Sequence, residues 1–182
     1  EELKNTDIAA HALDALSKSK VKEIHMIGRR GPVQAAFTNK EIRELGELND
    51  CDIVFNDIRD FDLNLASQKE LNDPSNIGAN RNWKVIEELR TLKPDGRKRK
   101  IVIHFFQSPK QLTGITKIES LDLEINRLVG EAGGQWAEGT GTTASMECGL
   151  FFRSVGYRGL EIEGVPFDNS RGVFPNQAGR IT

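Results

Sequence analysis

Few residues in this sequence are suited to covalent or metal chemistry. Only two cysteines occur in 182 residues, Cys51 and Cys148. They lie far apart, and neither has a partner at metal-ligand spacing, so they read as reduced thiols of a cytoplasmic protein. The three histidines, His11, His25 and His104, are equally scattered. No zinc site and no nucleophile-histidine pair is visible, and each reads as an ordinary helix or strand residue. No apolar run approaches the roughly 20 residues that cross a bilayer, and the opening residues EELKNTDI have no signal-peptide character. A net charge of -2 gives no electrostatic case for nucleic acid. A dinucleotide site also needs a glycine-rich turn after its first strand, yet no G-x-G-x-x-G occurs anywhere.

What is present suits one domain, or one domain with a short excursion into another. A hydrophobic share of 37% beside 29% charged residues is somewhat polar, as expected of generous loops or of surface covered by further chain. The informative stretch is 21–48, VKEIHMIGRRGPVQAAFTNKEIRELGEL. Val21, Ile24, Met26 and Ile27 form a short apolar run and predict a buried strand. Gly28 and Gly31 then flank Arg29 and Arg30, and Pro32 stiffens the exit. In a doubly wound α/β sheet the residue past the second strand meets the adenosine ribose. An acid there suits NAD, and an arginine suits the 2′-phosphate of NADP. Two guanidiniums can hold a dianionic phosphate from two sides. The alternative is that both are solvated loop charges.

A helix start follows directly. Thr38 and Glu41 have capping-box spacing, Phe37 and Ile42 sit as a hydrophobic staple, and Ile42, Leu45 and Leu48 form one apolar face. Local capping therefore explains Glu41 without any ligand.

Elsewhere, Thr6 or Asp7 can cap a helix running to Ser17 with a buried stripe of Ile8, Ala12, Leu13 and Leu16. Residues 1–5 give no helix start of their own. A short strand is predicted at 52–55, then a loop-rich stretch through DPSNIGANRN. A second amphipathic helix begins at Asn82, with Val85, Leu89 and Leu92 on one face, Trp83 and Ile86 beside them, and Pro94, Asp95 and Gly96 as its stop. The basic run 97–100 reads as a solvated loop. Residues 101–106 predict a buried strand stopped by Ser108 and Pro109. Residues 115–126 predict a strand with one wet face, carrying Ile118, Leu121, Leu123 and Ile125 inward. GEAGGQWAEGTGT reads as a hairpin loop, 146–155 as another buried strand, and 166–180 as a small hairpin.

The string GRRGPVQAAFTNKEIREL, with TDIAAHAL before it and CGLFFRSVGYRG and GVPFDNSRGVFPNQAGRI after it, resembles the adrenodoxin reductase type of ferredoxin-NADP reductase, bacterial branch. The resemblance runs from Thr6 to the end and is weak over 49–99. It implies an incomplete Rossmann-like α/β domain with additional β-hairpin segments. Residues 1–156 would be part of the NADP-binding domain, and 157–182 a crossover toward an FAD-binding domain. The family's glycine-rich NADP turn would lie upstream of Glu1.

By the same resemblance Arg29 and Arg30 grip the 2′-phosphate, with Gly28 beside them. Glu41 contacts the nucleotide, and Glu44 points toward the nicotinamide and flavin. The implied cofactors are NADP and FAD. The implied partners are the missing FAD domain and an acidic iron-sulfur protein, ferredoxin, with no nucleic acid and no membrane. Arg81, Lys84 and Arg90 on the second helix are the implied docking charges. Two rivals stand beside this reading: an NADPH flavoprotein of the glutamate synthase small-subunit type, and a nucleotide-sensing module without flavin. Flavin absorbance separates the last from the others.

Overall fold

A computed structural model describes residues 2–56 and 63–182, and the chain divides into two compact units, Glu1–Cys148 and Gly149–Thr182. The first unit is organised around β3 (Arg99–His104), which is flanked by β1 (Glu23–Ile27) and β2 (Cys51–Asn56) in a parallel sheet of order β1-β3-β2. The central place goes to β3 because its isoleucines and valine are β-branched and fit a pleated surface that is covered on both faces. Every residue from Ile101 to Gln107 is buried. Ile27 and Asn56 both register with His104, so the three strands end level at their carboxyl ends.

The expected burial of β1 is corrected by its position. It is an edge strand, and Ile24 and Met26 remain 46% and 38% exposed. The helix before it, α1 (Ala10–Ser17), starts later than Thr6 or Asp7 and has no side-chain cap and no buried residue. Its apolar stripe finds no covering layer, and Leu16 is exposed. Residues Glu2–Asn5 form a 3₁₀ turn where no helix start was expected.

On the core side of the sheet lie α2 (Asn39–Gly46) and α4 (Ile77–Thr91). Ile42 from α2, together with Val85, Ile86 and Leu89 from α4, packs with Ile53, Ile101, Ile103, Phe105 and Phe106. Phe37 packs against this cluster, as the staple requires. Leu48 and Leu92 fall outside their helices and are exposed. The stretch expected to be loop-rich carries α3 (Leu65–Asn72) and the first turns of α4. Asn64 caps α3 by accepting from the Ser67 N–H at 2.8 Å, a local start signal hidden in a polar sequence. Residues 57–62 of that stretch lie outside the described residues.

Ser108 and Pro109 do not stop the chain. It continues as β4 (Gln107–Thr113), antiparallel to β5 (Ser120–Val129), which pairs with β6 (Trp136–Glu147). β4 is an edge strand, and its register shifts between Pro109 and Gln111, so the missing proline N–H is tolerated. β5 begins later than residue 115 and runs on to Val129, while Ile115 sits fully exposed in the preceding turn. Leu121 and Leu123 point inward as expected. An irregularity between Glu124 and Asn126 then turns Asn126 into the interior. The glycine-rich segment is a hairpin loop only over 130–135, because Trp136 onward belongs to β6.

The predicted buried strand at 146–155 is absent. Met146 and Glu147 end β6, while Phe152 and Val155 of the second unit are each 80% exposed. The small hairpin is present, with Asp168 bridging Val173 and β7 (Asn176–Gln177) pairing β8 (Arg180–Ile181). Phe167 and Phe174 meet edge-on at 5.0 Å between ring centres.

Candidate dinucleotide site

The loop leaving β1 is held by its own backbone. Gly28 donates to the His104 carbonyl at 2.9 Å, and its carbonyl accepts from Gln107 N–H at 3.1 Å. The Arg30 carbonyl accepts from Phe106 N–H at 3.0 Å. From the antiparallel sheet, Asn126 Nδ2 donates to the Arg29 carbonyl at 2.9 Å. Both arginine carbonyls are thus fixed by residues far away in sequence. The anchor itself is unusual, since Phe106 sits at a left-handed φ of 58°. That conformation is costly for an aromatic residue and persists only where the surroundings enforce it. Gly31 is required for a different reason, close approach: a Cβ there would lie 2.8 Å from the Phe106 ring.

Fixing the backbone leaves the side chains available. Arg29 is exposed and Arg30 half-buried. Neither guanidinium makes a hydrogen bond or ion pair with the described residues. At the opposite, amino end of the sheet the charges do pair. Lys100 meets Glu23 at 2.9 Å, and Arg97, part of the basic run, meets Asp52 and Asp95 while donating to the Leu48 and Cys51 carbonyls.

Glu41 completes the predicted capping box. Its carboxylate accepts from Thr38 N–H at 2.6 Å while its own N–H donates to the Thr38 hydroxyl at 3.3 Å. The Thr38 backbone N–H, and after it the hydroxyl, hold the Glu41 carboxyl below the usual carboxylate range. Glu44 is exposed and paired with Lys40 at 3.5 Å. On α4, Arg81, Lys84 and Arg90 are named above as docking charges, and all three are exposed. At about 100° per residue, Arg81 and Arg90 fall on opposite sides of the helix, with Lys84 nearer Arg81.

Arg30 also lines a cleft of about 360 Å³ that includes Val33, Gln34, Phe37, Asn82 and Gln135. Arg29, Glu41 and Glu44 do not line it. Its wall is a network of side chains. Gln34 Nε2 lies 3.2 Å from Ser67 Oγ, 3.1 Å from Glu70 and 3.3 Å from Gln135 Oε1, and Ser67 donates to Gln135 at 2.8 Å. Glu70 also accepts from Gly133 N–H at 3.2 Å. Three buried atoms are left over: Gln34 Oε1, Asn82 Oδ1 and Gln135 Nε2 have no partner among the described residues.

No sequence pattern singles out Gln34, Asn82, Phe106, Asn126 or Gln135 for the site. Gln34 stands inside the motif GRRGPVQAAFT, and that is the only signal available. The others join the loop through contacts that no local pattern encodes. No group of three or more acids, histidines or cysteines that could hold a metal ion occurs among the described residues. Likewise, no described helix is long and apolar enough to cross a membrane.

No family model matches the chain. It is 38% identical to NADPH-ferredoxin reductase FprA of Mycobacterium tuberculosis over 182 residues, which is 98% of this chain and 39% of that protein. It is 34% identical to the mitochondrial NADPH:adrenodoxin oxidoreductase of Arabidopsis thaliana, over 99% of this chain and 38% of that protein. The solved structure of M. tuberculosis FprA in complex with NADPH matches 99% of this chain and 39% of its own, at 37% identity and a TM-score of 0.81. The chain thus spans about two fifths of the length of these relatives. Over that span, in sequence and in fold, it belongs to the adrenodoxin reductase type of ferredoxin-NADP reductases.

Proposed function

We propose that this chain is the NADP-binding part of a two-domain flavoprotein that moves electrons between NADPH and a ferredoxin through FAD. The observation that carries the reading is the pair of guanidiniums, unpaired among the described residues, on a backbone clamped at the carboxyl end of β1. Ligands of open α/β sheets gather there, and a preorganised loop binds without losing further backbone freedom. Arg29 and Arg30 take the 2′-phosphate, and Gly28 allows the loop to run close to the His104 carbonyl. Glu41 holds the start of α2 and contacts the nucleotide, while Glu44 lies toward the nicotinamide end. The flavin, bound by the partner domain that 157–182 leads into, supplies the redox chemistry. A cytoplasmic location fits the two free thiols.

Titration calorimetry tests the site. Binding of 2′,5′-ADP should exceed that of 5′-AMP, and Arg29→Ala or Arg30→Ala should weaken it roughly tenfold or more, since hydrogen bonds to charged groups contribute about 1.5–3 kcal/mol each. Equal binding of the two nucleotides by the full-length protein would remove the 2′-phosphate assignment.

The partner is an acidic iron-sulfur protein, met by Arg81, Lys84 and Arg90 on α4. Reversing Arg81 and Lys84 to glutamate should slow ferredoxin reduction by the full-length enzyme, most at low salt, where surface charges are least screened. An unchanged rate would take α4 out of the docking surface.

A further inference from the structure

We propose that Asn126, a buried residue of the antiparallel sheet, is a positioning residue for the arginine pair and sets how strongly NADPH is preferred over NADH. The proposal rests on, and deepens, the assignment of Arg29 and Arg30 to the 2′-phosphate.

Asn126 grips the arginine loop twice. Its side-chain Nδ2 donates to the Arg29 carbonyl at 2.9 Å. Its backbone N–H donates to the Phe106 carbonyl at 2.7 Å, and the Phe106 N–H donates in turn to the Arg30 carbonyl at 3.0 Å. One residue of β5 is therefore tied to both arginines. Nδ2 also donates to Ser108 Oγ at 2.7 Å, so both of its hydrogens are engaged inside the protein. At 2% exposure, Asn126 acts on a nucleotide through the residues it holds.

Three costly features converge on this grip. Asn126 enters the interior because the β5 and β6 register breaks between Glu124 and Asn126, and irregularities of this kind re-aim side chains beside binding sites. Phe106 keeps a φ of 58°, which an aromatic residue adopts only where its surroundings enforce it. Gly31 runs so close to the Phe106 ring that a Cβ would lie 2.8 Å from it. Regular strand pairing needs none of them, and all three bear on the backbone of residues 29–31.

The backbone matters because an arginine stem has many rotamers, and two guanidiniums match one phosphate only when both stems start from fixed points. The grip sets those points in advance, so their ordering is not left to the binding step. NADH lacks the 2′-phosphate and makes no use of the arrangement. Loosening the loop therefore weakens NADPH more than NADH, whereas a loss of overall stability affects both alike.

Steady-state assays of the full-length enzyme with NADPH and with NADH test this. Asn126→Leu keeps the bulk and Asn126→Ala avoids any clash, while both remove the donor. The ratio of the two kcat/KM values should fall roughly two- to twelvefold, the change to which one neutral hydrogen bond converts. The loss should appear in KM for NADPH more than in kcat. The ratio cancels the concentration of folded enzyme, so a variant that folds poorly still reports on it. Arg29→Ala combined with Asn126→Leu should lose less than the product of the two single effects, because part of what Asn126 holds is gone. An unchanged ratio in both Asn126 variants overturns the proposal, as does a full product in the double variant. Arg29→Ala and Arg30→Ala alone separate the two assignments. A preference lost in these but kept in the Asn126 variants removes the positioning role alone. A preference kept in all of them removes the phosphate assignment and the positioning role with it.

Discussion

Residues 101–106, IVIHFF, and residues 150–155, LFFRSV, are both rich in large apolar side chains, and their fates are opposite. The first supplies most of β3 and turns its side chains into covered space on both faces of a parallel sheet. The second has no strand at all and leaves Phe152 and Val155 largely in water. Local hydrophobicity does not explain the difference. A strand is buried when it has a neighbour on each edge and a layer over each face, and residues 101–106 have β1 and β2 beside them with α2 and α4 on the core side. Apolar residues without such cover remain exposed, and contiguous exposed apolar surface often marks an interaction site.

The sharpest way to break this comparison is truncation at matched positions, with urea unfolding of the full chain as the measurement. Ile103→Ala should cost about 2–5 kcal/mol, the usual range for emptying a packed core site. Phe152→Ala should stay within about 0.5 kcal/mol, as for surface substitutions away from special features. Comparable losses at the two positions would mean that Phe152 is covered in solution.

A smaller effect comes from the polar member of the buried run. Burial, and after it the neighbouring His25, push the His104 pKa below its ordinary value of about 6.5, although Gln107 works in the opposite direction. The His25 ring nitrogen lies 2.8 Å from His104 Nε2. The folded protein therefore keeps His104 neutral, while the unfolded chain takes up a proton below about pH 6.5. Stability from this group is complete above that pH and is lost as pH falls through the lowered folded value. Unfolding free energies measured from pH 7.5 to 5 should fall, and His104→Gln should flatten the decline. An unaltered slope would assign the pH dependence to other groups.

Much of the first unit is legible in the sequence because its signals are local. The capping box and staple of α2 involve neighbours along the chain, so spacing alone places Thr38, Glu41, Phe37 and Ile42. The hydrophobic face of α4 is equally visible, although its start is not, since Asn76 makes no side-chain cap and the residues after Ile77 are small or polar. Edge and centre are not legible. The run before Gly28 and the run at 101–106 look alike, yet β1 lies at an edge and β3 at the centre, because strand order depends on which segments pair across long stretches of chain. The strand through Pro109 escapes sequence reading for a related reason: proline rules out a central strand but not an edge one.

By itself the sequence determined where the arginine pair sits, the helix that follows it, and the family to which the chain belongs, since all three reside in contiguous motifs. The tertiary structure alone decided what holds and surrounds that pair. Asn126 reaches Arg29, Phe106 reaches Arg30, and Gln34 meets Ser67 and Gln135, and each of these contacts joins segments that folding brings together from distant parts of the chain. Periodicity and capping report on neighbours within a turn or two of backbone. The atoms that build a binding cleft are neighbours only after the sheet has closed.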